Sequence, residues 1–192
     1  IGRVLDQVTQ PDHAPLLARS VADHKIAVRA YVLERLTTFR LPDMAPVFRH
    51  ARKDRDEEVS FLAALGLASA GDFEAFEDIF ERASANWKEL APRLAVSLPG
   101  VRGEKATVRV LDKMKSGGEN AEVTGLRLLR SVAEKSAASR VAIYLDSESH
   151  NIKKEAINAL RVIVDGKPAL PLKKITVFMV IKLARDWKKR NQ

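Results

Sequence analysis

Lys25–Phe39 reads KIAVRAYVLERLTTF. Val28, Val32, Leu33, Leu36 and Phe39 recur in it at steps of three and four residues, the signature of one apolar helix face. Moving 31 residues along the chain, with no gap, lands on Val59, Ala63, Ala64, Leu67 and Ala70. Further steps of 31 reach Leu90, Leu94, Ala95, Leu98 and Val101, then Ala121, Gly125, Leu126, Leu129 and Val132. A last step reaches Ile152, Ala156, Ile157, Leu160 and Ile163. Only Gly125 departs from the apolar rule.

One column of this pattern is invariant: Leu5, Leu36, Leu67, Leu98, Leu129 and Leu160. With leucine about a tenth of the chain, chance alignment of the last five is roughly one in 100,000 before the choice of register. A second column, Leu17, Phe48, Ile79, Val110, Val141 and Leu172, belongs to a different helix of each repeat. Two helices therefore alternate, each with an apolar ridge. Asp12 and Asp43 are expected to cap the first helix, because a short side-chain oxygen accepts from orphan backbone N–H groups. Pro15 and Pro46 follow in its first turn, where a missing N–H does little harm. Asp23, Asp54, Ala85, Ser116 and Ser147 mark the turn within each hairpin, and Gly71-Asp72 and Gly117-Gly118 mark further breaks.

The expected fold is an all-α, right-handed α-solenoid of helical hairpins, about 31 residues per repeat. Residues 1–192 form one domain in this reading. Residues 1–9, with Ile1, Leu5 and Val8, end a preceding repeat; 11–40, 42–71, 73–102, 104–133 and 135–166 are full repeats. Residues 168–192 form a capping element, read as one long helix over Pro171–Lys189. Its inward stripe is Leu172, Ile175, Phe178, Met179, Leu183 and Trp187, with Lys188, Lys189 and Arg190 at its end.

Composition agrees with a folded helical array. Hydrophobic residues make up 46% of the 192 and aromatics 6%, which suits a core of Leu, Val, Ala and Ile. The absence of cysteine excludes disulfides, thiol nucleophiles and cysteine metal sites. The most apolar stretch, Ile175–Ala184, contains Lys182 and is too short to cross a bilayer. The first residue is Ile, as in a chain trimmed from something longer, and the expected location is the cytoplasm.

Asp23-His-Lys-Ile-Ala-Val28-Arg29 and Ala63-Ala-Leu-Gly66-Leu-Ala-Ser-Ala-Gly71-Asp72 resemble HEAT repeats, in particular the short bacterial kind grouped with the phycobilisome-lyase HEAT-like family. The shared marks are the proline of the first helix, the turn aspartate and the Val-Arg opening of the second helix. The third and fourth repeats depart from them, with Ala85 and Ser116 at the turn and Leu90-Ala91 and Ala121-Glu122 in place of Val-Arg. The resemblance implies a helical scaffold that binds along a curved surface and implies no single reaction.

No catalytic, cofactor or metal constellation is expected. His13, His24, His50 and His150 fall at turns or helix starts and form no HExxH pair. Helical-repeat hydroxylases that act on deoxyhypusine carry paired His-Glu motifs, and no histidine here is followed by Glu. No GxxxxGK[ST] or GxGxxG loop is present. The acidic run Asp54–Glu58 reads as a helix N-terminus, where carboxylates complement the dipole. Asp186-Trp187 invites comparison with HEAT-like alkylpurine DNA glycosylases, but adjacent helical residues point about 100° apart, and Trp187 fits the inward stripe. Tyr31, Phe61 and Leu62 are the nearest approach to an exposed aromatic cluster.

Charge points outward. Residues 1–92 carry 12 Lys+Arg against 15 Asp+Glu, and residues 93–192 carry 21 against 10. In a HEAT-like solenoid the second helices line the concave side, so Arg93, Arg127, Arg130, Lys153, Lys154 and Arg161 are the candidate binding residues, with Arg130 and Arg161 stacked 31 apart. The expected function is a non-catalytic scaffold, a module of a larger bacterial protein, binding a protein partner with an acidic segment. Nucleic acid bound by the basic half, with glycosylase-like chemistry, is a second reading. An anionic membrane surface facing Lys182–Arg190 is a third.

Overall fold

The computed structural model describes residues 9–190, without the side chains of Lys188 and Arg190. Ile1, Leu5 and Val8, on which the preceding helix was expected, lie outside the described residues. The chain divides into two compact units, Ile1–Val101 and Arg102–Gln192, with the division between the third and fourth repeats of the sequence.

Short and long helices alternate in the first unit. They are α1 (Ala14–Ala18), α2 (Ile26–Phe39), α3 (Ala45–Ala51), α4 (Glu57–Ser69), α5 (Phe76–Ala85) and α6 (Trp87–Ser97). The second unit holds α7 (Glu104–Ser116), α8 (Gly118–Val132), α9 (Ala138–Ala142), α10 (His150–Ile163) and α11 (Val177–Arg190). Single 3-10 turns precede or extend several of them, and no strand occurs among the described residues.

The repeat register explains which helices touch. In the first unit α4 packs on both α2 and α6, and in the second α10 packs on both α8 and α11. Each long helix also packs on its short partner: α3 on α4, α5 on α6, α7 on α8 and α9 on α10. Leu36, Leu67, Leu98, Leu129 and Leu160 are all 1% exposed or less. Phe48, Ile79, Val110 and Val141 of the second column are equally buried, while Leu17 and Leu172 are half-buried. Ala95 is the one member of the long-helix pattern that faces water.

Gly125, the break in the apolar rule, has a steric cause. A Cβ there would sit 2.1 Å from Cγ of Met114 and 2.4 Å from its Sδ, so glycine lets α7 and α8 approach closely. Gly66 of α4 plays the same part against the ring of Phe48, 2.2 Å from where a Cβ would stand.

Helix α4 is buried all round from Phe61 onward. Every residue from Phe61 to Ala70 is inside, because α2 and α6 touch each other as well as α4. Its unbroken FLAALGLASA run is what such a central helix needs. Phe61 and Leu62 are therefore core residues, at 0% and 3% exposure, and not part of an exposed cluster; Arg82 lies over the Phe61 ring at 4.5 Å.

Local chemistry follows the expected turn column. Asp23, Asp54 and Ser147 each accept a hydrogen bond from the backbone N–H two residues on, at 2.8, 2.9 and 3.2 Å. Asp12 and Asp43, expected as caps, instead sit inside the 3-10 turns Pro11–His13 and Pro42–Met44. The extra turn starts the chain's coiling one step earlier than a simple N-cap would. Pro15 and Pro46 do fall in the first turn of α1 and α3.

The last segment is not one long helix. Leu172–Lys174 forms a 3-10 turn, Ile175 is extended, and the Thr176 hydroxyl accepts from the Met179 N–H at 3.3 Å to open α11. This restart puts Val180 and Trp187 inside and leaves Phe178, expected inward, 76% exposed. Met179 and Leu183 are half-buried. Among the described residues no helix is long and apolar enough to cross a membrane.

Cutting Leu67 to Ala is expected to destabilise the protein by about 2–5 kcal/mol in chemical denaturation, the cost of a core cavity. Leu16, 64% exposed, should tolerate the same change within about 0.5 kcal/mol.

Candidate binding surface

Five arginines of the first unit, Arg29, Arg49, Arg52, Arg82 and Arg93, are held by its own acids. Arg29, at the Val-Arg opening of α2, grips both carboxylate oxygens of Asp54, Nε to Oδ2 at 2.7 Å and Nη2 to Oδ1 at 3.0 Å. Its Nη1 also donates to the carbonyls of Asp23 and His24, at 2.9 and 3.3 Å. One planar guanidinium thus ties the turn of one hairpin to the turn of the next. The pairing holds the Asp54 carboxyl below its ordinary value of 3.8. Arg52 pairs with Asp78 at 2.9 Å, and Arg49 pairs with Asp72 and Glu74. An open hollow of about 560 Å³ lies beside Arg49, His50, Arg52 and Lys53, but both of its arginines are already engaged.

Three acids of the run Asp54–Glu58 have structural work. Asp54 binds Arg29, Asp56 caps α4 by accepting from the Val59 N–H at 2.9 Å, and Glu58 pairs with Arg93 at 2.5 Å. Arg93 also reaches Glu34 at 2.8 Å. It was expected on a free binding row, and the acids of α2 and α4 draw it into a bridge between them.

In the second unit the surprise is Glu155. Only 2% of its side chain is exposed, and it takes Arg127 on Oε1 at 2.6 Å and Arg130 on Oε2. Arg127 and Arg130 are themselves 21% and 17% exposed, so neither stands out from the surface as the register implied. Two cations share one carboxylate, and Arg130 Nε is buried without a partner. Burial, with Arg127 alongside, pushes the Arg130 guanidinium down to about 10. Arg161, expected to stack with Arg130, donates from Nε to the Pro168 carbonyl at 2.8 Å and so holds the segment that follows α10.

Lys153 and Lys154 are the candidate residues that remain unengaged. Both are half-buried on α10, and neither has an ion pair or side-chain hydrogen bond among the described residues. Lys167, Lys173, Lys174, Lys182, Arg185 and Lys189 are exposed in the same unit. The second unit carries 20 Lys+Arg against 10 Asp+Glu, and the first carries 13 against 15. Trp187 is 5% exposed in the packing of α11, Asp186 is half-buried, and all four histidines are exposed.

Glu155 escaped the sequence pattern because it stands among lysines of a basic helix. Its signal was spacing: Arg130 precedes Glu155 by 25 residues, as Arg29 precedes Asp54.

No protein-family model and no curated protein matches this chain.

Glu155→Gln should destabilise the second unit by about 3–5 kcal/mol, because it strands two partly buried guanidiniums; denaturant titration reads this directly. Acidification tests Asp54. A carboxyl whose folded value lies below its unfolded one contributes stability above the unfolded value, and loses it as pH falls through the folded value. Unfolding followed below pH 3.8 should show this loss, and Asp54→Asn should flatten it.

Proposed function

We propose that this chain is a non-catalytic HEAT-like binding scaffold, an α-solenoid of helical hairpins within a larger bacterial cytoplasmic protein. Its second unit engages an acidic segment of a protein partner. The observation that carries this reading is the contrast between the two sets of cations. Arg29, Arg49, Arg52 and Arg93 of the first unit are paired with acids of their own unit, whereas Lys153, Lys154, Lys167, Lys173 and Lys174 have no ion pair or side-chain hydrogen bond among the described residues. A compact, strongly hydrated charge on a flexible stem contributes little to packing, and a field of them attracts an anionic partner and speeds its encounter. Lys153 and Lys154 are the core of the site, since α10 is fixed between α8 and α11 and presents them on a rigid support.

The test is titration of the full chain with a fluorescent acidic peptide. Binding that falls with salt, and weakens by roughly tenfold or more in Lys153→Glu with Lys154→Glu, is the expected result; tenfold corresponds to about 1.4 kcal/mol. Peptide affinity unchanged in that double variant would sink the proposal. Stronger retention of duplex or single-stranded DNA than of the peptide, with a steep salt slope, would move the function to nucleic acid.

A further inference from the structure

We infer that the outward face of α11 docks the second unit onto an anionic lipid surface. The inference uses different residues from the peptide site and stands apart from it.

Val177 and Ile181 are each 54% exposed, and Phe178 is 76% exposed. Lys182, Arg185 and Lys189 are exposed on the same helix. At about 100° per residue, Val177, Ile181, Arg185, Phe178, Lys189 and Lys182 fall in one arc of about 140°. Val180 and Trp187, which are buried, project on the opposite side, toward the packing with α10. The only acid of the helix, Asp186, falls outside this arc and is half-buried. The free face therefore mixes three large apolar side chains with cations and contains no carboxylate.

The identity of the occupant follows from what satisfies both components. An acidic protein segment or a nucleic acid would neutralise the cations but leave Phe178, Val177 and Ile181 in water. A second copy would cover the apolar side chains but bring two cationic arcs together. An anionic bilayer meets both needs, because apolar side chains enter the acyl boundary while lysine stems carry their charges to the headgroups. The mode is peripheral, since no described helix is long and apolar enough to span.

The experiment uses the full chain with vesicles of phosphatidylcholine alone or mixed with phosphatidylglycerol. Cysteine is absent from the chain, so Phe178→Cys takes a single environment-sensitive fluorophore. The protein should sediment with the mixed vesicles and not with the neutral ones, and the label should shift to the blue only with the former. Affinity should fall about fivefold for each of Lys182, Arg185 and Lys189 changed to Gln. It should also fall in Phe178→Ser with Ile181→Ser, whose charge is unchanged and whose exposed positions leave the fold intact by circular dichroism. Equal sedimentation with neutral vesicles, or no loss in the Ser variant, would overturn the inference. So would a concentration-dependent dimer that the Ser variant abolishes, or a label shift produced by acidic peptide or DNA instead of lipid.

Discussion

Packing of one long helix against the long helix of the adjacent hairpin is the contact on which the remaining structure depends. Leu36 and Leu67 lie on such helices in the first unit, with Leu98 in the 3-10 turn that extends α6, and Leu129 and Leu160 lie on them in the second, all essentially without exposure. Burial of each such side chain is worth about 1.5–3 kcal/mol, and a fixed interval of 31 residues repeats it from hairpin to hairpin. Once that interval is set, the turns fall into line as well. The turn at Asp54 arrives beside the start of α2, where Arg29 clasps it. Phe48 arrives over Gly66, and Met114 over Gly125, where only glycine leaves room.

Charge is used in two ways on this helical fold. Arginine, with its planar fork, serves as a bridge: Arg29 between turns, Arg93 between α2 and α4, Arg127 and Arg130 around Glu155. Lysine is left over, and in the second unit most of it is exposed, with Lys153, Lys154, Lys167, Lys173 and Lys174 unpaired among the described residues. Arg93, Arg127 and Arg130 are drawn into ion pairs with their own unit and Arg161 is tied to the Pro168 carbonyl, so the row of candidate cations narrows to Lys153 and Lys154, with a separate basic and apolar face on α11.

The helical class, the repeat interval and almost every core position were legible in the sequence because burial imposes a period, and a period survives in a string of letters. The turn residues were legible for the same reason, with Asp23, Asp54 and Ser147 each serving a local hydrogen bond. What could not be read was anything set by a neighbour distant along the chain. Glu155 looks like one more charge in a polar stretch until α8 is laid against α10. Phe61 and Leu62 look available until α2 and α6 close over α4. Phe178 fits an inward stripe only if the helix runs on from Pro171, and the break closed by Thr176 turns it outward. Arg127 and Arg130 were placed on the correct helix, but register alone cannot tell a solvated cation from one drawn in by an opposing carboxylate.

Hydrogen exchange at single-amide resolution tests the register most directly. If the interval of 31 residues places equivalent leucines in the core of each unit, the amides of Leu36, Leu67, Leu129 and Leu160 belong to the slowest class of their own unit. They then exchange only through opening of that whole unit. Exchange at those leucines as fast as at Leu16 and Ile143, whose side chains are 64% exposed, would contradict it.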